Sequence, residues 1–586
     1  MRRNVVITTI ALCVGSIVWE YVMHETYLPL QIENQVEGAE YDRPAGHREQ
    51  SRSVVISTNG MVATSHPLAA QAGLDILKGG GNAVDAAIAT NAMLGLVEPM
   101  SCGIGGDLFV IYWDAKSKKL YGLNASGRSP HSINRKVFAD KGLNEIPDSG
   151  PLCWSVPGCV DGWSVLRERF GTQSFETILD APIRYGEQGF PVSEIIAASW
   201  KGAEESLAEW PDSKATYLPG GRAPREGEIF RNPRLAATYR DIAQGGRDAF
   251  YSGRVGKTIA EFSGKNGGYL TAKDLTDHTS DWVEPVSTNY RGYDVWELPP
   301  NGQGIAALEM LNVLEGYDIA SMGRQSPEYL HLFTEAKKLA FADRATFYAD
   351  PDFEQLPVKE LISKEYAARQ RQRIDLNKAA TDVHPGDPIL QKGDTVYLTV
   401  VDKDRNCCSF IQSNYYGFGS KVTPGDVGFV LQNRGALFAL DDKHLNRLEP
   451  HKRPFHTIIP AFVTKDDKPF LCFGLMGGDM QPQGHVQLLV NMIDFKLNVQ
   501  MAGDAARVRH LGSQTPTGKP ADPEGGFLAV ETGIPGKTLQ ALQGKGHRVV
   551  HAPGGFGGYQ AIRIDAKNGA LHGATESRKD GAVVGY

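Results

Sequence analysis

The sequence is poor in the features that usually announce a chemistry. Only seven of its 586 residues are cysteine (Cys13, Cys102, Cys153, Cys159, Cys407, Cys408, Cys472), an odd number with no C-x-x-C pair. Neither a zinc ribbon nor a dense disulfide framework is indicated; a single Cys153–Cys159 bridge stays open beside buried free thiols. There is no G-x-S-x-G elbow, no H-E-x-x-H, no Walker loop and no kinase motif set. The fifteen histidines show no metal-ligand spacing, and the reading calls for neither metal nor organic cofactor. Charge of neither sign dominates: 61 Lys and Arg face 68 Asp and Glu, a net −7, which leaves no electrostatic footprint for nucleic acid. No period of 20–50 residues recurs, so solenoids and propellers are excluded.

One uncharged run stands out. Arg2 and Arg3 precede Val5–Trp19, which carries no charge, and Glu20 closes it. Residues 1–23 therefore read as a signal peptide or signal anchor, short for a bilayer span, and 24–53 as a polar linker. The expected location is membrane-anchored, or secreted or periplasmic. Glycine, by contrast, is abundant at 65 residues. Gly79-Gly80-Gly81-Asn82 reads as a helix-stopping loop, since no Lys-Ser/Thr follows to complete a phosphate cradle. Asn124-Ala125-Ser126 is the only glycosylation sequon, and its surroundings predict burial.

From residue 54 the periodicities alternate. Val54–Ser57 and Met61–Ser65 read as strands joined by a Thr58-Asn59-Gly60 hairpin turn. Helices are predicted from Pro67 towards Leu77, after the Asn82 cap, and over 159–170, 175–188, 234–245, 304–315, 326–346 and 359–372. After residue 393 the texture turns to strand at 395–401, 407–413, 429–431, 457–463, 471–475, 548–550 and 560–564, with helices at 486–495 and 499–506. The fold class is α+β, sheets covered by helices in one body with no second independent domain.

Within this pattern Gly393-Asp394-Thr395-Val396-Tyr397 places a threonine directly after a Gly-Asp turn and directly before a strand. A strained turn there can press the hydroxyl onto the preceding carbonyl, shift the acyl group from N to O, and leave a new N-terminal Thr after ester hydrolysis. Its α-amino group, with an ordinary pKa of ~7.7–8.0, can serve as base for its own hydroxyl. On spacing alone, a β-forming Thr is the plainer reading.

Several motifs add weight. Met61-Val62-Ala63-Thr64-Ser65-His66-Pro67-Leu68-Ala69, Gly80-Gly81-Asn82-Ala83-Val84-Asp85-Ala86-Ala87, Gly103-Ile104-Gly105-Gly106-Asp107, Val156-Pro157-Gly158, Thr395 with Val400–Asp404, Lys452-Arg453-Pro454 and Met476-Gly477-Gly478 occur in that order. In these the chain from about Val54 to Tyr586 resembles the γ-glutamyltransferase (glutathione hydrolase) family of N-terminal-nucleophile hydrolases. The resemblance implies a four-layer αββα sandwich built from two self-processed fragments, a large subunit 54–394 and a small subunit 395–586, which stay associated and act on a small-molecule amide. It implies Thr395 as nucleophile, cleavage between Asp394 and Thr395, Gly477 and Gly478 as oxyanion donors, Ser413 beside the nucleophile, and Arg128 on the substrate's α-carboxylate.

The pattern then departs from γ-glutamyl readers. Their Ser-Ser pair is His456-Thr457 here, and the Asn, Gln and Asp that receive the α-ammonium become Tyr415, Arg434 and Leu437. A shift of register would instead offer Asp441 or Asp442. Gln412-Ser413-Asn414-Tyr415, Gln432-Asn433-Arg434-Gly435 and the run from Gly477 to His485 resemble the lid-less, glutathione hydrolase-like and acylase-like branch. Three readings follow. The first is hydrolysis or transfer of γ-glutamyl amides such as glutathione. The second keeps the nucleophile and changes the acyl group to glutaryl or another type. The third is an inactive anchored scaffold.

Overall fold

The computed structural model describes residues 51–384 and 394–586. The leader, most of the linker and Gly393 lie outside them, and the described residues form one compact unit. Among them no helix is long and apolar enough to cross a membrane.

Two antiparallel seven-stranded sheets form the frame. The first runs Ala582–Gly585, Met61–Thr64, Asp394–Val401, Cys407–Tyr415, Asp107–Asp114, Lys119–Ala125, Asp281–Val283. The second runs Val55–Ser57, Leu571–Thr575, Gly558–Ile564, Lys468–Met476, Ala461–Lys465, Tyr293–Glu297, Val286–Tyr290. Period-two alternation sorts their side chains into separate cores. Tyr397, Val401, Ile411, Phe462 and Cys472 pack between the sheets. Val396, Leu398, Val400 and Phe410 face helices on the first sheet's outer side. Phe473 and Leu475 face helices on the outer side of the second. This is the αββα sandwich.

The innermost helix, Ala83–Val97, is buried at every position, which is why its apolar residues go all round rather than along one stripe. Asn82 and Asp85 form its capping box, and Asp402 accepts the Ala83 N–H at 3.0 Å, tying the helix to the turn after Val401. Asn124 is buried, its amide donating to Asn301. Cys153 and Cys159 are free thiols, as are the other four cysteines described.

Several expectations are corrected. Thr58-Asn59-Gly60 does not close a hairpin: Val55–Ser57 belongs to the second sheet and Met61–Thr64 to the first. The turn carries the chain between layers because Tyr586 takes its polar groups, with Asn59 N–H donating to the Tyr586 carbonyl at 2.8 Å. Residues 429–431 form irregular chain, and Thr457 precedes the strand, which begins at Ala461. The helix predicted over 359–372 is two, Val358–Leu361 and Lys364–Arg371, divided where Ser363 caps the second. The helix at 234 continues to Tyr251 across Gly246, whose φ of 59° breaks its geometry. The helix predicted from Val486 starts at Met480, because Pro482 sits in the first turn, where no intrahelical N–H is lost. The strand predicted at 548–550 forms as Val549–His551, in a three-stranded sheet whose other members, Val508–Leu511 and Phe527–Val530, the sequence did not signal.

Candidate active site

Strand ends from both sheets converge at one edge of the sandwich. Asp394 opens its strand opposite Tyr415, and the ladder slips before Val396 pairs with Gln412, so Ser413 and Asn414 together oppose Thr395 and the extra residue lies on the facing strand. Bulges of this kind recur beside active sites, where they re-aim the chain. Ser413 pairs with Asp107 on the next strand. From the other sheet, a Cβ on Gly474 would lie 2.5 Å from the Tyr397 ring. The second sheet therefore passes close to the Thr395 strand just before it ends at Met476.

After Met476 the chain turns sharply at Gly477 (φ 122°) and Gly478 (φ 57°) into the helix Met480–Ile493. Both angles favour glycine, and a Cβ on Gly477 would come within 3.2 Å of Gly557 Cα. The turn is braced from behind. Gln303 Nε2 donates to the carbonyls of Gly478 (3.0 Å) and Thr457 (2.7 Å). Fully buried Arg344 donates to Gln303 Oε1 and to Asp479 Oδ1, each at 2.6 Å. Two N–H groups fixed at a strand-to-helix turn suit a tetrahedral oxyanion. Gly477→Ala is expected to lower turnover ~10²–10³-fold, the usual cost of one misplaced oxyanion donor. Steady-state rates on processed enzyme check this, and a variant with near wild-type turnover would remove Gly477 from the site.

Beside this turn lies a polar pocket floor. Tyr415 adopts φ 80°, an uncommon conformation for a bulky residue, held where its N–H donates to Ser413 Oγ at 2.8 Å. Its ring stacks on Tyr416 and carries the Arg434 guanidinium 4.7 Å from its centroid. Arg434 Nη1 donates to Thr457 Oγ1 at 2.7 Å, while its buried Nε and Nη2 have no partner among the described residues. Burial pulls its pKa down to about 10, so it stays charged at neutral pH. Asp107, the acid that acts on it, is already engaged: its oxygens accept from His456 Nε2 (2.9 Å), Gln432 Nε2 and the Gly127 N–H. Leu437 is fully buried in the apolar core. Asp442 instead pairs with Arg135 at the surface, 2.5 Å away.

His456 accepts the Ile458 N–H on Nδ1, so its proton sits on Nε2 and the ring is neutral. Burial lowers its pKa to about 4; burial likewise holds His66 at about 4 and His485 and His547 at about 3. The unfolded chain, near 6.5 for each, binds more protons between pH ~6.5 and ~4. Stability is therefore complete above that window and is lost as pH falls through it, on the order of 3 kcal/mol at pH 4 from His456 alone. Thermal melts from pH 7.5 to 4.5 should show a falling Tm; a flat profile would contradict the buried neutral rings.

Arg128 is placed differently from Arg434. Its guanidinium meets Asp350 at 3.3 Å and Asp352 at 2.6 Å, with Asp281 at 3.7 Å. A substrate carboxylate there would have to compete with three acids. Away from the convergence, His331, Glu335 and His547 place ligand atoms within 4.8 Å of one another, a zinc-type donor set. Charge opposes that use. The Lys338 ammonium lies 2.7 Å from Glu335, and the two rings already share a hydrogen bond of 2.8 Å.

Residues 69–586 match the sequence model of the family described as gamma-glutamyltranspeptidase. The chain belongs to that family. It is 39% identical to the "Glutathione hydrolase-like YwrD proenzyme" of Bacillus subtilis, over 91% of this chain and 99% of that one. It is 34% identical to the "Acylase ACY 1 proenzyme" of a Pseudomonas species, over 90% and 93%. The crystal structure of cephalosporin acylase from Bacillus halodurans superposes with a TM-score of 0.85 at 42% identity, covering 95% of this chain and 99% of that one. The gamma-glutamyltranspeptidase family thus accounts for the N-terminal-nucleophile hydrolase sandwich, and the chain is an enzyme of that hydrolase class. Sequence reasoning assigned no role to Asp107, Gln303, Arg344 or Asp479. Arg344 lies on a helix buried over nearly its whole length, so no amphipathic stripe marked it.

Proposed function

We propose that this family member is a self-processing threonine amidohydrolase for amides whose acyl group ends in a carboxylate and lacks an α-ammonium, a glutaryl-type acid being the model case. In processing, Thr395 Oγ attacks the Asp394 carbonyl, the amide C–N bond breaks to give an ester and free the Thr395 amine, and water then cleaves the ester to an Asp394 carboxylate and the Thr395 hydroxyl. In turnover that amine takes the hydroxyl proton as Oγ adds to the substrate carbonyl. The N–H groups of Gly477 and Gly478 hold the oxyanion, and the leaving amine departs with the proton. Water then resolves the acyl ester and restores the Thr395 hydroxyl.

The observation that carries the acyl preference is Arg434, buried, cationic and with Nε and Nη2 unpartnered among the described residues. An uncompensated buried charge is costly to keep, and a planar guanidinium fits a carboxylate through two parallel bonds. A γ-glutamyl amide would also bring an ammonium, yet Asp107 and Asp479 are engaged by His456 and Arg344. The relatives' names support both readings, since they include an acylase and a glutathione hydrolase-like protein.

Interleaved strands support lasting association of fragments 54–394 and 395–586. Asp394–Val401 sits between Met61–Thr64 and Cys407–Tyr415, and Ala461–Lys465 pairs with Tyr293–Glu297. Turnover of glutaryl and γ-glutamyl anilides, measured side by side, tests the proposal. Faster glutaryl release is expected; faster γ-glutamyl release would return the assignment to glutathione-type substrates.

A further inference from the structure

Three consecutive residues, Asn301 to Gln303, run alongside the segment that carries His456 and Thr457. Asn301 Nδ2 donates to the Pro454 carbonyl at 2.7 Å, His456 N–H donates to the Asn301 carbonyl at 2.8 Å, and Gly302 bridges to His456. Gln303, fully buried, completes the run. Its single Nε2 reaches two carbonyls from different parts of the candidate site, Thr457 at 2.7 Å and Gly478 at 3.0 Å. On one side, the Thr457 hydroxyl takes the bond from Arg434 Nη1. On the other, Gly478 belongs to the turn proposed to hold the oxyanion.

The amide is locked in that orientation. Its Oε1 accepts from Arg344 Nη1 at 2.6 Å, and the same guanidinium pairs with Asp479. Exchanging the amide's oxygen and nitrogen would set an oxygen against two carbonyls and an N–H against a cation. A second tie joins the same two segments: Ile459 N–H donates to Gln481 Oε1 at 2.9 Å, in the first turn of the helix after Gly478. Losing the Gln303 bonds would therefore loosen the spacing without detaching the segments. N–H···O contacts hold their heavy atoms within ~2.7–3.2 Å, so one nitrogen sets the Thr457 and Gly478 carbonyls a fixed distance apart. A carboxylate-ended acyl chain must span the matching interval, from Arg434 to the Gly477–Gly478 turn. Each added methylene lengthens an extended chain by about 1.2 Å, a third of an extended residue. Misplacing a reacting group by about 1 Å can cost ~10²-fold.

We infer that Gln303 is a specificity-determining residue that sets acyl chain length: by tying Thr457 and Gly478 to one amide nitrogen, it fixes the distance from the Arg434 guanidinium to the oxyanion turn. It acts by positioning, and the inference rests on the carboxylate-ended acyl reading proposed above. Substrates differing by one methylene should therefore be told apart in the wild type and confused once the tie is cut.

The test measures kcat/KM for succinyl, glutaryl and adipyl anilides, with γ-glutamyl anilide beside them, on wild type, Gln303→Met and Thr457→Val. Methionine fills the amide's volume without its donor. Valine keeps the shape of Thr457 and its carbonyl bond but cuts the tie at the Arg434 end, so the test stands even if Gln303→Met fails to fold. Wild type is expected to favour one chain length over its neighbours by roughly 10- to 100-fold, and each variant to narrow that ratio to about threefold. An equal loss at all three lengths, with the ratio unchanged, is what a purely structural role would give and would overturn the assignment. So would a wild type indifferent to length. Faster γ-glutamyl than dicarboxylic release by the wild type would overturn the acyl reading first. That outcome is distinct from a sharp dicarboxylic optimum that both variants leave in place, which sinks the role of Gln303 alone.

Discussion

Thr395→Ala is expected to leave the purified chain whole and to reduce amide turnover by ~10⁴-fold or more, towards the background reached when a covalent nucleophile is removed. Both losses have one cause. In the proposed mechanism the hydroxyl attacks the Asp394 carbonyl during maturation and the substrate carbonyl afterwards, and a methyl side chain can do neither. The backbone is compatible with that double use, because the ladder loses register at Thr395, which Ser413 and Asn414 together oppose. Folding should be spared, since Tyr397 and Val401 still fill the space between the sheets. Intact mass after long incubation and an anilide assay read the two effects on one sample. Splitting without turnover would separate the roles and assign maturation to another group.

Arg434→Leu is the second large effect, with opposite signs in two measurements. For a carboxylate-ended acyl amide, kcat/KM is expected to fall ~10²–10³-fold, because a charge-assisted bidentate contact in a dry pocket is worth several kcal/mol. The loss should fall mainly on KM if the contact is equally strong before and during reaction. Stability should rise or hold, since the change removes a buried guanidinium whose Nε and Nη2 are unpartnered among the described residues, and of those residues it takes a donor only from Thr457 Oγ1. A structural arginine would behave the other way: Tm would drop and the preference between glutaryl and γ-glutamyl substrates would stay put. Arg434→Lys keeps the charge without the planar fork and should lie between the two.

The frame of this molecule was legible because its signals are local. The β-rich run from Val396, the Asn82 cap and the Gly477-Gly478 pair each declare themselves within a few residues, and each lies where the motif order puts it. What stayed hidden depends on distant partners. Thr58-Asn59-Gly60 has hairpin chemistry, but Tyr586, more than five hundred residues on, takes its hydrogen bonds and sends the two strands to different sheets. Arg434 could be read as a departure from γ-glutamyl readers; that it is buried, stacked on Tyr415 and short of partners could not. Arg128 and Arg434 look alike in sequence, and only the positions of Asp350 and Asp352 distinguish a saturated arginine from an open one. The Gln303–Arg344–Asp479 brace joins two helices and a turn by contacts that no periodicity foreshadows.

The most direct test of the central claim is the intact mass and N-terminal sequence of the purified wild-type protein. Two co-purifying fragments are expected, the smaller beginning at Thr395 and ending at Tyr586. A single unsplit chain, or a small fragment beginning at any other residue, would contradict the assignment of Thr395 as the nucleophile.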